Sequence, residues 1–153
     1  MEAANNLIQA LGRLIGLNEL ALDASGQCTL AFDESIVLTF VGDPDGGLNV
    51  VSFVGEIDRQ HAAGWHMLLT HNFVPHGMGG GRVAVEPDSS RAVLVNRWDA
   101  GRTDFGIFQQ QLEAFVNAVE ALRKDLEALP PAAPTMAGGP VRREELPPPG
   151  AYA

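Results

Sequence analysis

Cysteine is almost absent. The 153-residue chain carries one, Cys28, which excludes an internal disulfide framework and any zinc site built on several cysteines. Basic residues are also scarce, with ten Lys and Arg against nineteen Asp and Glu and a formal charge of −9. That balance argues against nucleic acid and against insertion into or binding to an anionic membrane, since both surfaces call for a basic patch. No apolar run approaches the roughly 18–20 residues needed to cross a bilayer. The opening MEAANNLIQALGRLIGL has an acidic second residue and amphipathic spacing, unlike a secretory leader. The expectation is an acidic, soluble, cytoplasmic chain of one domain.

Signatures of catalysis are missing as well. Four histidines stand at 61, 66, 71 and 76. Five residues turn a helix by about 500°, leaving neighbours about 140° apart, so they cannot converge on one metal ion. The glycine cluster at 77–81, followed by Arg82, lacks the Lys-Ser/Thr of a phosphate loop. It follows an expected helix and precedes an expected strand, the reverse of what phosphate binding at a helix N-terminus needs. Cys28 has no CxxC partner and lies among acidic neighbours that disfavour a thiolate. Asp43 and Asp45 flank Pro44 in a turn, too few carboxylates for a calcium loop. No catalytic residue, metal or cofactor is expected.

What is present divides at Leu129. Residues 1–129 read as the folded domain. Seven of the ten prolines lie beyond it, in a segment without periodicity that reads as a disordered, partly polyproline tail, residues 130–153. PVRREELPPP within it is either a short docking motif or merely solvated. Arg142 and Arg143 balance Glu144 and Glu145, so the −9 resides on the body.

Residues 4–15 place Leu7, Ile8, Leu11, Leu14 and Ile15 at helical spacing, with Gly16 as the stop. Strands follow at about 28–32, 36–41 and 48–54, the last two joined by a turn at 43–47, and should form an antiparallel meander. A second helix fits 59–72 with Asp58 as its cap. Two more strands fit 82–86 and 92–98. A long helix fits 104–129, with Thr103 as its cap and Pro130-Pro131 as its end. The fold class is α+β, in the order α-β-β-β-α-β-β-α, with a twisted antiparallel sheet packed by helices.

The strands are apolar on both faces. Ile36, Leu38 and Phe40 oppose Val37 and Val41, while Val50 and Val54 oppose Val51 and Phe53. Val83, Val85, Val93 and Val95 oppose Leu94 and Trp98, and the second helix adds Trp65, Leu68 and Leu69. Either helices sandwich the sheet from both sides, or a second chain covers the excess. The second possibility makes the protein a homodimer, with one cluster closing the core and the other the seam.

Taken in order, these segments resemble the class I type III secretion chaperones, the Tir chaperone or CesT family. The resemblance is carried by LIQALGRLIGLNELALDASGQCTLAFDES, by Val54-Gly55, by Leu68-Leu69 with Asn72-Phe73, and by the helix Phe108…Leu112…Phe115-Val116. It implies a homodimeric, ATP-independent chaperone of the bacterial cytoplasm. Such a chaperone holds the N-terminal part of a secreted effector in extended form. Carried over by position, the effector lies on Leu11, Leu14 and Leu17 of the first helix and on Leu30, Phe32 and Leu38 of the first strands. The dimer pairs through Trp65, Leu69, Val83, Val85, Val93, Val95 and Trp98. The Pro-rich tail is longer than the family core requires, and docking on the secretion ATPase is one role left open for it. The alternative is a peptide- or ligand-binding module of the same fold with no secretion role.

Overall fold

The computed structural model describes residues 1–32, 35–73 and 78–131. Helix α1, Glu2–Ile15, buries Leu7, Ile8 and Leu11 on one face. It stops at Gly16, whose φ of 80° lets its N–H turn back to the Gly12 carbonyl, a left-handed cap that favours glycine. Strands β1 (Gln27–Ala31), β2 (Val37–Gly42) and β3 (Gly47–Glu56) form the expected meander. After α2 (Ala62–Phe73), the strands β4 (Arg82–Val85) and β5 (Arg91–Asp99) make a hairpin, and α3 (Phe105–Glu127) closes the domain. The sheet order is β1-β2-β3-β5-β4, antiparallel throughout.

Two helix starts differ from expectation. Asp58 does not cap α2, because its carboxylate accepts the Gln60 N–H in a tight turn (2.7 Å). The helix therefore begins three residues later than the sequence suggests, at Ala62, and His61 Nδ1 accepts the Gly64 N–H instead (2.9 Å). Nor does Thr103 cap α3. Its hydroxyl donates to the Asp99 carbonyl (2.7 Å), and Asp104 accepts the Gly106 N–H (2.8 Å).

The register gives the sheet two distinct faces. One carries the row Leu30–Leu38–Ser52–Leu94–Val83 and the neighbouring row Cys28–Phe40–Val50. All three helices pack their apolar residues into the same core as these side chains. The other face carries Thr29–Thr39–Val51–Val95–Arg82 and Phe53–Val93–Ala84, and its valines and Phe53 stand outside that core. The helices thus serve one face and do not sandwich the sheet.

The glycine cluster is less of a loose connector than its composition suggests. Its first residue, Gly77, lies outside the described residues. Gly79, at φ 58°, lies so close to α3 that a Cβ there would collide with the Gln111 carbonyl. Its own carbonyl accepts from Asn96 Nδ2 (2.6 Å). Glycine is required here for close approach as well as for the turn.

Candidate partner-binding surface

A groove opens between the C-terminal half of α1 and the N-terminal half of α3. It has a volume of about 190 Å³ and is lined by Leu11, Leu14, Ile15, Phe32, Leu112 and Val116. Gln109, Glu113 and Asn117 form its polar rim. α1 supplies this lining because its apolar stripe runs further along the helix than its contact with the core. Leu7, Ile8 and Leu11 point inward, while Leu14 remains 54% and Ile15 40% exposed. Phe32, at the end of β1, is 42% exposed. Large apolar side chains left this open on neighbouring elements mark a contact surface.

The residues expected to hold a partner therefore separate. Leu14 and Phe32 meet in the groove, with Leu11 buried at its floor. Leu17 is exposed just beyond the end of α1. Leu30 and Leu38 are corrected. They are cross-strand neighbours on the helix-covered face and are packed into the core, where no partner reaches them. The groove also uses Ile15, Leu112 and Val116, which the sequence reading did not assign to it. Ile15 stands in the α1 stripe and Leu112 and Val116 in the α3 stripe, and periodicity alone does not say where a stripe runs past the core.

The residues expected at a dimer seam divide in the same way. Leu69 and Val85 are exposed, and Trp65 and Val95 are half-buried. Trp98 is corrected. It is only 4% exposed, packs edge-on against Phe108 with ring centroids 4.9 Å apart, and donates its indole N–H to Gln111 (2.6 Å). Val83 and Val93 are also buried within the chain, Val83 in the core and Val93 on the outer face between Phe53 and Ala84. Phe73, at the end of α2 and 87% exposed, stands beside this set.

The two sheet edges differ. On β4 the Asn72 side chain of α2 imitates a strand, accepting the Val83 N–H (2.8 Å) and donating to the Val83 carbonyl (3.1 Å). On β1 only the first residue is held in this way, Gln27 exchanging both backbone groups with Asp23. Thr29 and Ala31 follow at the same parity, so their N–H and C=O groups face away from β2.

Electrostatics contribute turns and clasps. Hydrogen bonds from the Ser25 hydroxyl and the Gln27 N–H hold the Asp23 carboxyl below its ordinary range. The Gly47 N–H and the Arg97 guanidinium do the same for Asp43. Burial, with Asp23 nearby, raises the Cys28 thiol. His61 contacts Gly64 and the Pro130 carbonyl, while His71 faces Asp125 at 3.7 Å. His76 lies outside the described residues. Among the described residues no cluster of three His, Cys, Asp or Glu side chains is placed to hold a metal ion, and no helix is long and apolar enough to cross a membrane.

The sequence profile of the Tir chaperone protein (CesT) family matches residues 6–123, most of the chain. The chain belongs to that family, the class I type III secretion chaperones. No curated protein matches the sequence. Among solved structures, this CesT-family chain superposes on one from the ExsC–ExsE complex with a TM-score of 0.69 and 21% identity, covering 86% of this chain and 97% of that one. It superposes on one from the Yersinia pestis type III secretion chaperone SycH, in complex with a stable fragment of YscM2, with a TM-score of 0.63 and 17% identity. That match covers 78% of this chain and 98% of the other. A chain of the heterodimeric ExoU–SpcU complex from the type III secretion system of Pseudomonas aeruginosa gives 0.60 at 18% identity, covering 78% and 94%. At such identities the likeness establishes the fold.

Proposed function

We propose that this CesT-family protein works in the bacterial cytoplasm as a homodimer. It keeps the N-terminal region of a secreted effector extended, soluble and competent for export, without hydrolysing nucleotide. The observation that carries the reading is the groove between α1 and α3, where Leu14 and Phe32 are held apart from the core by elements that are themselves well packed. A chain that is disordered when free is suited to such a surface. It offers apolar anchors worth about 1.5–3 kcal/mol each when buried, less the cost of ordering the segment. Backbone groups along the outward edge of β1 give an extended segment further hydrogen bonds by strand addition. The outer sheet face around Val95, together with Trp65 and Leu69 of α2 and Val85 of β4, is the proposed seam between protomers.

The test is capture of the effector's N-terminal region by purified protein, with mass and circular dichroism checked for each variant. Leu14→Glu and Phe32→Asp should each weaken capture at least tenfold, about 1.4 kcal/mol, while leaving a folded dimer. Undiminished capture by both folded variants would remove the groove as the effector's seat.

A further inference from the structure

The groove between α1 and α3 has two unlike walls. On the α1 side it is apolar, with Leu11, Leu14 and Ile15. On the α3 side it carries two parallel rows that each step by four residues. Leu112 and Val116 form the inner row, and Gln109, Glu113 and Asn117 form an exposed row at the rim. Among the described residues, none of these three rim side chains has a hydrogen-bond or ion-pair partner within the chain. Glu113 alone of the described lining residues is charged. No cation in the groove offsets it, and it stands on a chain with a formal charge of −9.

The spacing of the rim row fits an extended backbone. Four residues advance an α-helix by about 6.0 Å, so Gln109 and Asn117 stand about 12 Å apart along α3. Two residues advance a strand by about 6.6–6.8 Å, and four by about 13 Å. A strand turns the N–H and C=O of every second residue to the same side. A segment lying along α3 therefore meets one rim side chain at each such residue. The amides of Gln109 and Asn117 each offer a donor and an acceptor, which matches a peptide unit. The Glu113 carboxylate only accepts, and on an acidic chain it favours a positive side chain. A lysine or arginine can lay its apolar stem over the groove and keep its charge at the rim.

We propose that Gln109 and Asn117 hold the backbone of the segment seated in this groove, and that Glu113 selects a lysine or arginine between them. The inference rests on the proposed function for the groove as the seat of an extended segment, and it adds which residues read that segment and what they read. The probe is a short fluorescein-labelled peptide in which leucine alternates with serine around a central lysine. Its twin carries glutamate in place of the lysine. Fluorescence anisotropy against the full chain should show the lysine peptide bound about fivefold more tightly, as one exposed ion pair predicts. Glu113→Gln should erase that preference. Gln109→Ala with Asn117→Ala should weaken both peptides about tenfold, as loss of two hydrogen bonds predicts, and leave the preference in place. All three positions are exposed, and the new residues favour helix, so circular dichroism should be unchanged. Leu14→Glu is titrated alongside to separate the two ideas. Binding undiminished by Leu14→Glu would put the peptide outside the groove and overturn the seat and the inference together. Binding lost in Leu14→Glu but indifferent to the rim substitutions would overturn this inference alone. No binding of either peptide, no preference for lysine, or a preference that survives Glu113→Gln would overturn it as well.

Discussion

The two faces of the sheet are built from the same residue types and meet different fates. On one, Leu38, Phe40, Val50 and Leu94 are sealed under three helices. On the other, Val37, Val51, Phe53 and Val95 have no share in the core, and Val37 is 45% exposed. Residue type alone therefore does not decide burial here. Helix placement decides it, and a chain with three helices has enough apolar helix surface for one face only. The uncovered face carries a surplus of valine and phenylalanine that the core does not use. Polar residues border it toward one end, where Gln27, Asn49 and Arg97 share a row with Val41.

The sharpest way to break this contrast is to remove equal bulk from each face. Phe40→Ala should destabilise the protein by about 3–5 kcal/mol, since the ring is fully buried and its removal leaves a cavity. Phe53→Ala, on the other face, should cost far less in the isolated chain, since that ring stands outside the core. Chemical denaturation of both variants checks this. Similar losses would mean that the outer face is as tightly packed as the inner.

Much of this was legible beforehand, and the failures have physical causes. The order of elements followed from periodicity, since helices repeat every 3.6 residues and strands every two. The caps were less legible, because Asp58 and Thr103 each found a competing local hydrogen bond that the sequence does not rank. The exposure of the residues expected to meet a partner was legible only in part. Strand parity groups Leu30 with Leu38, but it does not say which parity the helices will cover. Both were assigned to a partner and both belong to the core. Leu14 and Phe32 remain exposed for a different reason, since each sits at the end of its element, where burial runs out. Trp98 misled because a large aromatic residue suits an interface and a core equally well until a neighbour such as Phe108 is known.

A smaller effect tests the outer face as a seam. Val95→Glu places a charge in the middle of the row Thr39–Val51–Val95–Arg82. If two protomers meet there, the substitution should weaken their association by roughly 2 kcal/mol or more and shift the light-scattering mass toward that of a single chain. Far-ultraviolet circular dichroism should change little, because Val95 lies outside the core. A dimer of unaltered affinity would move the seam elsewhere, with α2 and Phe73 the next region to alter.

The smallest effect belongs to the polar border. Asp43 accepts the Gly47 N–H (2.8 Å) and the Arg97 guanidinium (2.9 Å), which ties the β2–β3 turn to the polar row of the outer face. Both interactions favour the ionised carboxylate, so its folded pKa lies below the ordinary value of 3.8. A group shifted in this direction stabilises the fold fully above its unfolded pKa, and the contribution is lost as pH falls through the folded value. Stability near neutral pH should therefore be reduced slightly in Asp43→Asn, and the two proteins should converge in strong acid. Thermal melts between pH 7 and pH 2 measure the difference. If the gap between them stayed constant, or widened in acid, the carboxylate would not be what ties this turn to the sheet.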